Sequence, residues 1–132
     1  MVHTCRIEHK KDFYGTLCIW WDGWDFPYLP YDALPSAIFV CSSEGTDTYA
    51  MPVYLTDTNT CFIGFVTGNP KAEKAHRKGS LNELSRFVEG RVKELGYSII
   101  ITTTGTPVLK KLFEDQGYVN TGKNYNEYLK IL

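Results

Sequence analysis

Residues able to hold an anion are concentrated between Thr67 and Ser80. Thr67-Gly68-Asn69-Pro70 closes an apolar run, and Lys71, Lys74, His76, Arg77 and Lys78 follow at once. Ser80 and Glu83 have capping-box spacing, so a helix is expected to begin at Ser80. A basic, glycine-containing loop running into a helix N-terminus can hold a phosphate through backbone N–H groups and charge. A solvated lysine loop is the other reading of such a run. A second chemical group lies in Trp21–Pro35, where Asp25 and Asp32 stand among Trp24, Tyr28 and Tyr31. Carboxylates there could act as a base or hold a cationic amine between aromatic walls, with turn capping and core packing as the alternatives. Cys5, Cys18, Cys41 and Cys61 are widely spaced and form no metal-type pair, which reads as buried free thiols in a reducing compartment.

Composition narrows the function classes. At 132 residues and 43% hydrophobic, the chain is most simply one domain, 1–132, with a real core. A net charge of -1 supplies no global basic field, so no nucleic-acid partner is expected. No apolar run approaches the roughly 20 residues of a membrane span, and no signal-peptide core is visible. The expected location is therefore cytoplasmic, with no membrane association.

The elements that would position these groups follow from periodicity and punctuation. Cys5 to Lys10 alternates as a strand, and Phe13, Leu17, Trp20 and Trp21 give Phe13 to Trp21 helical spacing. Trp21 to Pro35 carries prolines and aromatics that fit neither a regular helix nor a central strand, and is expected to be an ordered, packed loop. Ala37–Cys41, Tyr49–Leu55 and Cys61–Val66 read as an antiparallel meander with tight polar turns between them. Gly64 would allow a bulge in the last of these. Leu81, Leu84, Val88, Val92 and Leu95 form the stripe of a long helix ending at Gly96, and mid-helix Gly90 suggests a close packing contact. Ile99 to Ile101 is a β-branched run expected to be covered on both faces. Thr106-Pro107 opens a short helix with Val108, Leu109, Leu112 and Phe113 inward, and Gly117 ends it. Tyr118 to Leu132 fits two strands around a turn at Thr121 to Asn124.

From Cys61 to Tyr118 this order resembles the GNAT superfamily of acyl-CoA-dependent N-acetyltransferases. The family loop, Gln/Arg-x-x-Gly-x-Gly/Ala, is matched by His76-Arg77-Lys78-Gly79-Ser80-Leu81, with Leu81 and His76 departing from it. The later family segment, Asn-x-x-Ala-x-x-Leu-Tyr-Glu-x-x-Gly-Phe, is similar to TPVLKKLFEDQGY (Thr106 to Tyr118), with Phe113 at the tyrosine position. The Trp/Pro-rich stretch CIWWDGWDFPYLPYDALP looks like the entry segment of small phage-encoded GNAT-like proteins.

The resemblance implies an α/β (α+β) fold. Its central sheet would be mixed and mostly antiparallel, with about six or seven strands, and its fourth and fifth strands parallel and splayed. It implies acetyl-CoA or CoA as cofactor, lined by Phe65, Val66 and Thr67 and held at its phosphates by His76, Arg77, Lys78, Gly79, Ser80 and Leu81. The acceptor, a small-molecule or protein amine, would be bordered by Trp24, Asp25, Tyr28 and Tyr31. Phe113 cannot donate a proton, so Tyr118 or Tyr125 would replace the family's acid, and Asp32 could serve as base. No metal is implied. A monomer or homodimer is expected, in the host cytoplasm if the protein is phage-encoded. The alternative is a catalytically inactive GNAT-fold binding module that presents its Trp/Tyr loop to a partner.

Overall fold

A computed structural model describes residues 2–122, 128, 130 and 132. The chain runs β1 (His3–His9), α1 (Lys10–Trp24), β2 (Ala37–Ser43), β3 (Thr46–Tyr54), β4 (Thr60–Ile63), β5 (Thr67–Gly68), α2 (Lys74–Glu94), β6 (Ile99–Thr102) and α3 (Pro107–Asp115). One 3-10 turn, Tyr31–Ala33, lies between α1 and β2. The six-stranded sheet has the order β1-β2-β3-β4-β6, with β5 also on β3. All pairings are antiparallel except β4 with β6. No described helix is long and apolar enough to cross a membrane.

Strand alternation divides the core into two layers. Phe39, Cys41, Met51 and Val53 face Leu81, Leu84, Val88 and Val92 of α2, together with Phe113 of α3. Ile38, Val40 and Ala50 face the opposite way, onto Phe13, Leu17, Trp20 and Trp21 of α1. The apolar run of β2 thus serves both faces of the sheet. Helix ends follow local rules. Gly96 and Gly117 take left-handed φ values of 95° and 91°. Tyr97 N–H reaches Val92 O at 3.0 Å and Tyr118 N–H reaches Phe113 O at 2.9 Å, as Schellman closures require. Thr106 caps α3 by accepting from Leu109 N, with Pro107 in the first turn.

Several expectations change. The helix expected from Ser80 begins at Lys74, so His76, Arg77, Lys78, Gly79, Ser80 and Leu81 lie inside α2. Ser80 is fully buried and caps nothing. Its hydroxyl donates to His76 O at 2.7 Å and lies 2.8 Å from Ser43 Oγ and 2.7 Å from Thr48 Oγ1. The Cys61–Val66 strand stops at Ile63. Leu95 and Val108 are exposed, and nothing approaches a Cβ placed at Gly90. β6 is not covered on both faces, since Ile99 and Ile101 are 48% and 43% exposed. The reason is position: among the described residues the main contacts of α1 are with β1, β2 and β5 rather than with β6. Tyr118 to Gly122 form no strand, and the rest of the expected hairpin lies outside the described residues.

Two measurements test this frame. Phe113 is 4% exposed, so Phe113→Ala should cost about 3–5 kcal/mol in denaturant unfolding. Asp47 closes on Arg6 at 2.8 Å. Burial alone would raise its carboxyl, but hydrogen bonds from Arg6 and Ser42 outweigh that and hold it below the usual range. A depressed folded pKa stabilises above the ordinary carboxylate value and is lost as pH falls through the folded one. Asp47→Asn should therefore lower the unfolding free energy at neutral pH, by up to about 1 kcal/mol for a part-exposed pair, and the melting temperature with it. The difference should vanish in strong acid.

Candidate active site at a strand bulge

β4 and β5 are two halves of one strand with a break between them. Ile63 pairs with Val53 and Thr67 with Ala50. Gly64, Phe65 and Val66 therefore stand opposite only Pro52 and Met51, which is one residue too many. The excess forms a β-bulge. Gly64 N–H donates to Pro52 O at 3.1 Å, and Phe65 turns to φ 58°. A left-handed phenylalanine costs about 1–2 kcal/mol. Its ring is 52% exposed and packs on Tyr54 at 6.4 Å.

The sheet opens at this point. β4 runs parallel to β6 as far as Ile63 and Thr102, where Thr102 Oγ1 donates to Ile63 O at 2.9 Å. Beyond it, β5 pairs only with β3 among the described residues, while the chain after Thr102 leaves for α3. Gly68 ends β5 and Lys74 begins α2, so the opening adjoins a helix N-terminus. The cap residue Glu73 makes no side-chain hydrogen bond to the first turn. The amides of Lys74, Ala75 and His76 thus form the positive end of the α2 dipole. Lys71, Lys74 and Lys78 are exposed around it.

Of the residues expected at the cofactor, Phe65, Val66 and Thr67 sit at the bulge. Arg77 is committed to the preceding loop: it donates to Asn69 O at 3.2 Å and to Ala72 O at 2.6 Å. Its guanidinium also lies 5.6 Å over the Trp24 ring. His76 is half-buried, 3.8 Å from Glu73. Gly79 faces His3, whose Nε2 would be 2.5 Å from an added Cβ. Leu81 is in the core with Ser80. The pair of small positions that the sequence pattern assigns to a phosphate thus packs α2 on the sheet.

The aromatic loop is ordered against the bulge. Trp24 donates its indole N–H to Gly68 O at 2.7 Å, stacks on Phe26 at 6.3 Å and stays 39% exposed. Asp25 takes a left-handed φ of 59° to end α1, its N–H on Asp22 O. The Tyr28 hydroxyl donates to the Asp22 carboxylate, which pushes the phenol up to about 12. Tyr31 lies under the Lys10 ammonium, 4.4 Å from its ring centre. Asp32 is exposed on the 3-10 turn. Tyr54 donates to Ala33 O at 2.8 Å and joins this turn to Phe65.

Tyr118 lies elsewhere. It packs on Phe113 at 4.9 Å, and burial raises its phenol to about 12. It lines a groove of about 890 Å³ along the outer side of β6, which none of residues 64–68 touches. Tyr125 lies outside the described residues.

Sequence reasoning missed Trp21. Its indole donates to Thr67 Oγ1 at 3.1 Å, and Thr67 in turn donates to Phe65 O at 2.8 Å. The available signal was the spacing of Trp21 and Trp24, which puts two indoles on one face at a helix end.

No protein-family model matches the chain, and no curated protein matches it in sequence. Solved structures do match it in shape. A ribosomal-protein-alanine N-acetyltransferase from Brucella melitensis biovar Abortus 2308 superposes with a TM-score of 0.70 at 13% identity, covering 100% of both chains. A GNAT-family acetyltransferase from Streptococcus pneumoniae TIGR4 gives 0.65 at 11%, covering 99% of this chain and 98% of that one. A transcriptional regulator from Bacillus halodurans C-125 gives 0.68 at 18%, covering 99% of each. The chain therefore has a GNAT-like fold.

The α1 terminus meets the loop after β5 at Gly23, where an added Cβ would collide with Pro70 Cγ. Gly23→Ala should cost about 1–3 kcal/mol through overpacking. Adding Pro70→Ala, which removes that Cγ, should recover most of the loss in thermal unfolding. An equal loss from Gly23→Ala with Pro70 intact and with Pro70→Ala would show that the contact does not set the spacing.

Proposed function

We propose that this GNAT-fold chain is an acyl-CoA-dependent N-acetyltransferase that moves an acetyl group from acetyl-CoA to an amine acceptor, small-molecule or protein. The observation that carries the reading is the sheet opening at the bulge, set against an N-terminus of α2 without a side-chain cap. Acetyl-CoA would supply an acyl thioester activated for attack by a neutral amine.

The chain's own groups fit such a cofactor, though shifted from the sequence pattern. The open side of Phe65, Val66 and Thr67 offers backbone groups that a pantetheine chain could pair with as an added strand. Diphosphate oxygens suit the Lys74, Ala75 and His76 amides with the Lys71, Lys74 and Lys78 ammonium groups. Lys74 and Lys78 share a helix face, so both can serve one anion. Arg77 supports the loop, and Gly79, Ser80 and Leu81 support the helix, without reaching the ligand.

The acceptor amine fits on the side of the aromatic loop. Trp24, Tyr28 and Tyr31 supply apolar faces there, and Trp21–Pro35 contains three aspartates, Asp22, Asp25 and Asp32, with no Lys, Arg or His. Asp32 and Asp25 are exposed carboxylates able to accept a proton from an ammonium through water. Tyr118, with its raised phenol, stays protonated at neutral pH as an acid must. Its place by Phe113, in a groove that residues 64–68 do not line, gives the acid role less support than Asp32 has as base.

Calorimetric titration with CoA tests the reading. Wild-type protein should bind, and Lys74→Glu with Lys78→Glu should weaken binding by about tenfold or more, a loss of about 1.4 kcal/mol or more. No heat at millimolar CoA would overturn the acetyltransferase reading and leave a binding module.

A further inference from the structure

We propose that Trp21 and Thr67 are positioning residues that fix the Phe65–Val66 peptide unit at the bulge, and with it the Val66 N–H that faces the acyl donor. This rests on the acetyltransferase reading above and adds to it two residues outside the sequence motif.

The geometry is a short directed chain. Trp21 Nε1–H donates to Thr67 Oγ1 at 3.1 Å, and Thr67 Oγ1–H donates to Phe65 O at 2.8 Å. An indole nitrogen can only donate, so the Thr67 hydroxyl must accept from it and send its single proton to the carbonyl. The direction of both bonds is thereby set. Trp21 and Thr67 are each 4% exposed, so water does not compete for these bonds. A trans peptide holds its C=O and N–H on opposite sides, and no cis bond occurs among the described residues. Fixing Phe65 O therefore turns Val66 N–H away from the Thr67 hydroxyl. That N–H has no hydrogen-bond partner among the described residues. With Phe65 N–H it is one of two backbone donors of the bulge without a partner among the described residues, and the one in the peptide unit that Thr67 holds.

The unit needs an external hold because the local chain does not favour it. Phe65 sits at φ 58°, in a region that side chains other than glycine seldom occupy. No ladder pairing spans Gly64 to Val66, which lies between the β3–β4 and β3–β5 registers. A donor aimed at the oxygen of a thioester must be placed before the reaction to lower its barrier. Here the hold comes from a helix on the other face of the sheet, through one hydroxyl.

The test uses three variants of the full chain. Thr67→Val keeps the shape and removes the hydroxyl, Thr67→Ser restores it, and Trp21→Phe removes the donor together with part of the buried indole. Two measurements are made on each: acetyl-CoA affinity with amine-dependent release of CoA thiol, and the Val66 amide resonance in ¹⁵N-labelled protein. Thr67→Val should lower turnover on the order of 10-fold or more with the acetyl-CoA KM nearly unchanged, since misplacement of a held group acts on the reacting centre. Its Val66 amide resonance should shift as the peptide unit turns. Thr67→Ser should return both toward wild type, and Trp21→Phe should fall between. If wild type binds and turns over acetyl-CoA while Thr67→Val keeps its turnover and its Val66 resonance, the positioning role is overturned and the enzyme reading stands. If wild type binds no acetyl-CoA, both fail together. Should Thr67→Val not fold, the Trp21→Phe and Thr67→Ser pair decides: unchanged turnover and resonance in both overturns the proposal.

Discussion

A single surplus residue between Ile63 and Thr67 shapes the rest of the molecule. β3 carries two registers on one edge, Val53 with Ile63 and Ala50 with Thr67, and the chain between them cannot lie flat. The bulge turns β5 away from the line of β4, and β6 does not follow it. A gap in a parallel pair is the result. The bulge is costly by itself, with a left-handed phenylalanine and with Phe65 and Val66 outside the strand registers. Trp21 on Thr67 and Trp24 on Gly68 offset that cost with buried or part-buried indole bonds, each contributing about 0.5–1.5 kcal/mol. The two tryptophans thus act on backbone geometry as well as on burial.

A second fixed point orients α2 against the same gap. Ser80 of the helix meets Ser43 of β2 and Thr48 of β3, all three buried. His3 of β1 reaches Ser43 and crowds Gly79. Polar groups in a core specify one arrangement because any shift strands them without partners. These bonds favour one seating of the helix on the sheet, with its first turn close to the end of β5. Arg77 completes the arrangement from the helix side, tying Asn69 O and Ala72 O to the second turn.

The fold was legible where local chemistry and tertiary structure agree. Gly96, Gly117 and the Thr106-Pro107 step mark helix ends through backbone rules that need no partner, and Phe13, Leu17, Trp20 and Trp21 give one unambiguous face. The start of α2 was not legible for a physical reason. Ser80 and Glu83 fit a capping box, yet a serine hydroxyl can also bond back to the carbonyl one turn earlier. Ser80 does so, and its other partners, Ser43 and Thr48, are remote in sequence. Gly79 is ambiguous in the same way, since a small residue serves a close helix–strand contact, here with His3, as well as a phosphate. The Ile99–Ile101 run signals a strand, but its burial depends on what lies beside it. The bulge was foreshadowed by Gly64 alone, because a register change belongs to two strands and is written in neither.

The charge pattern gains meaning only in this frame. A net charge of -1 conceals an acidic aromatic loop and a basic helix start. The two meet at Trp24, whose indole N–H holds Gly68 O while the Arg77 guanidinium lies over its ring. Arg77 in turn holds the loop from Asn69 to Ala72 that leads into the positive end of α2. Trp24 is therefore mechanically shared between the two sides. A movement of its ring disturbs both contacts at once. With β5 only two residues long, there is no intervening strand to absorb such a movement. The acidic loop and the start of α2 are thereby tied to one another through Gly68 and Trp24.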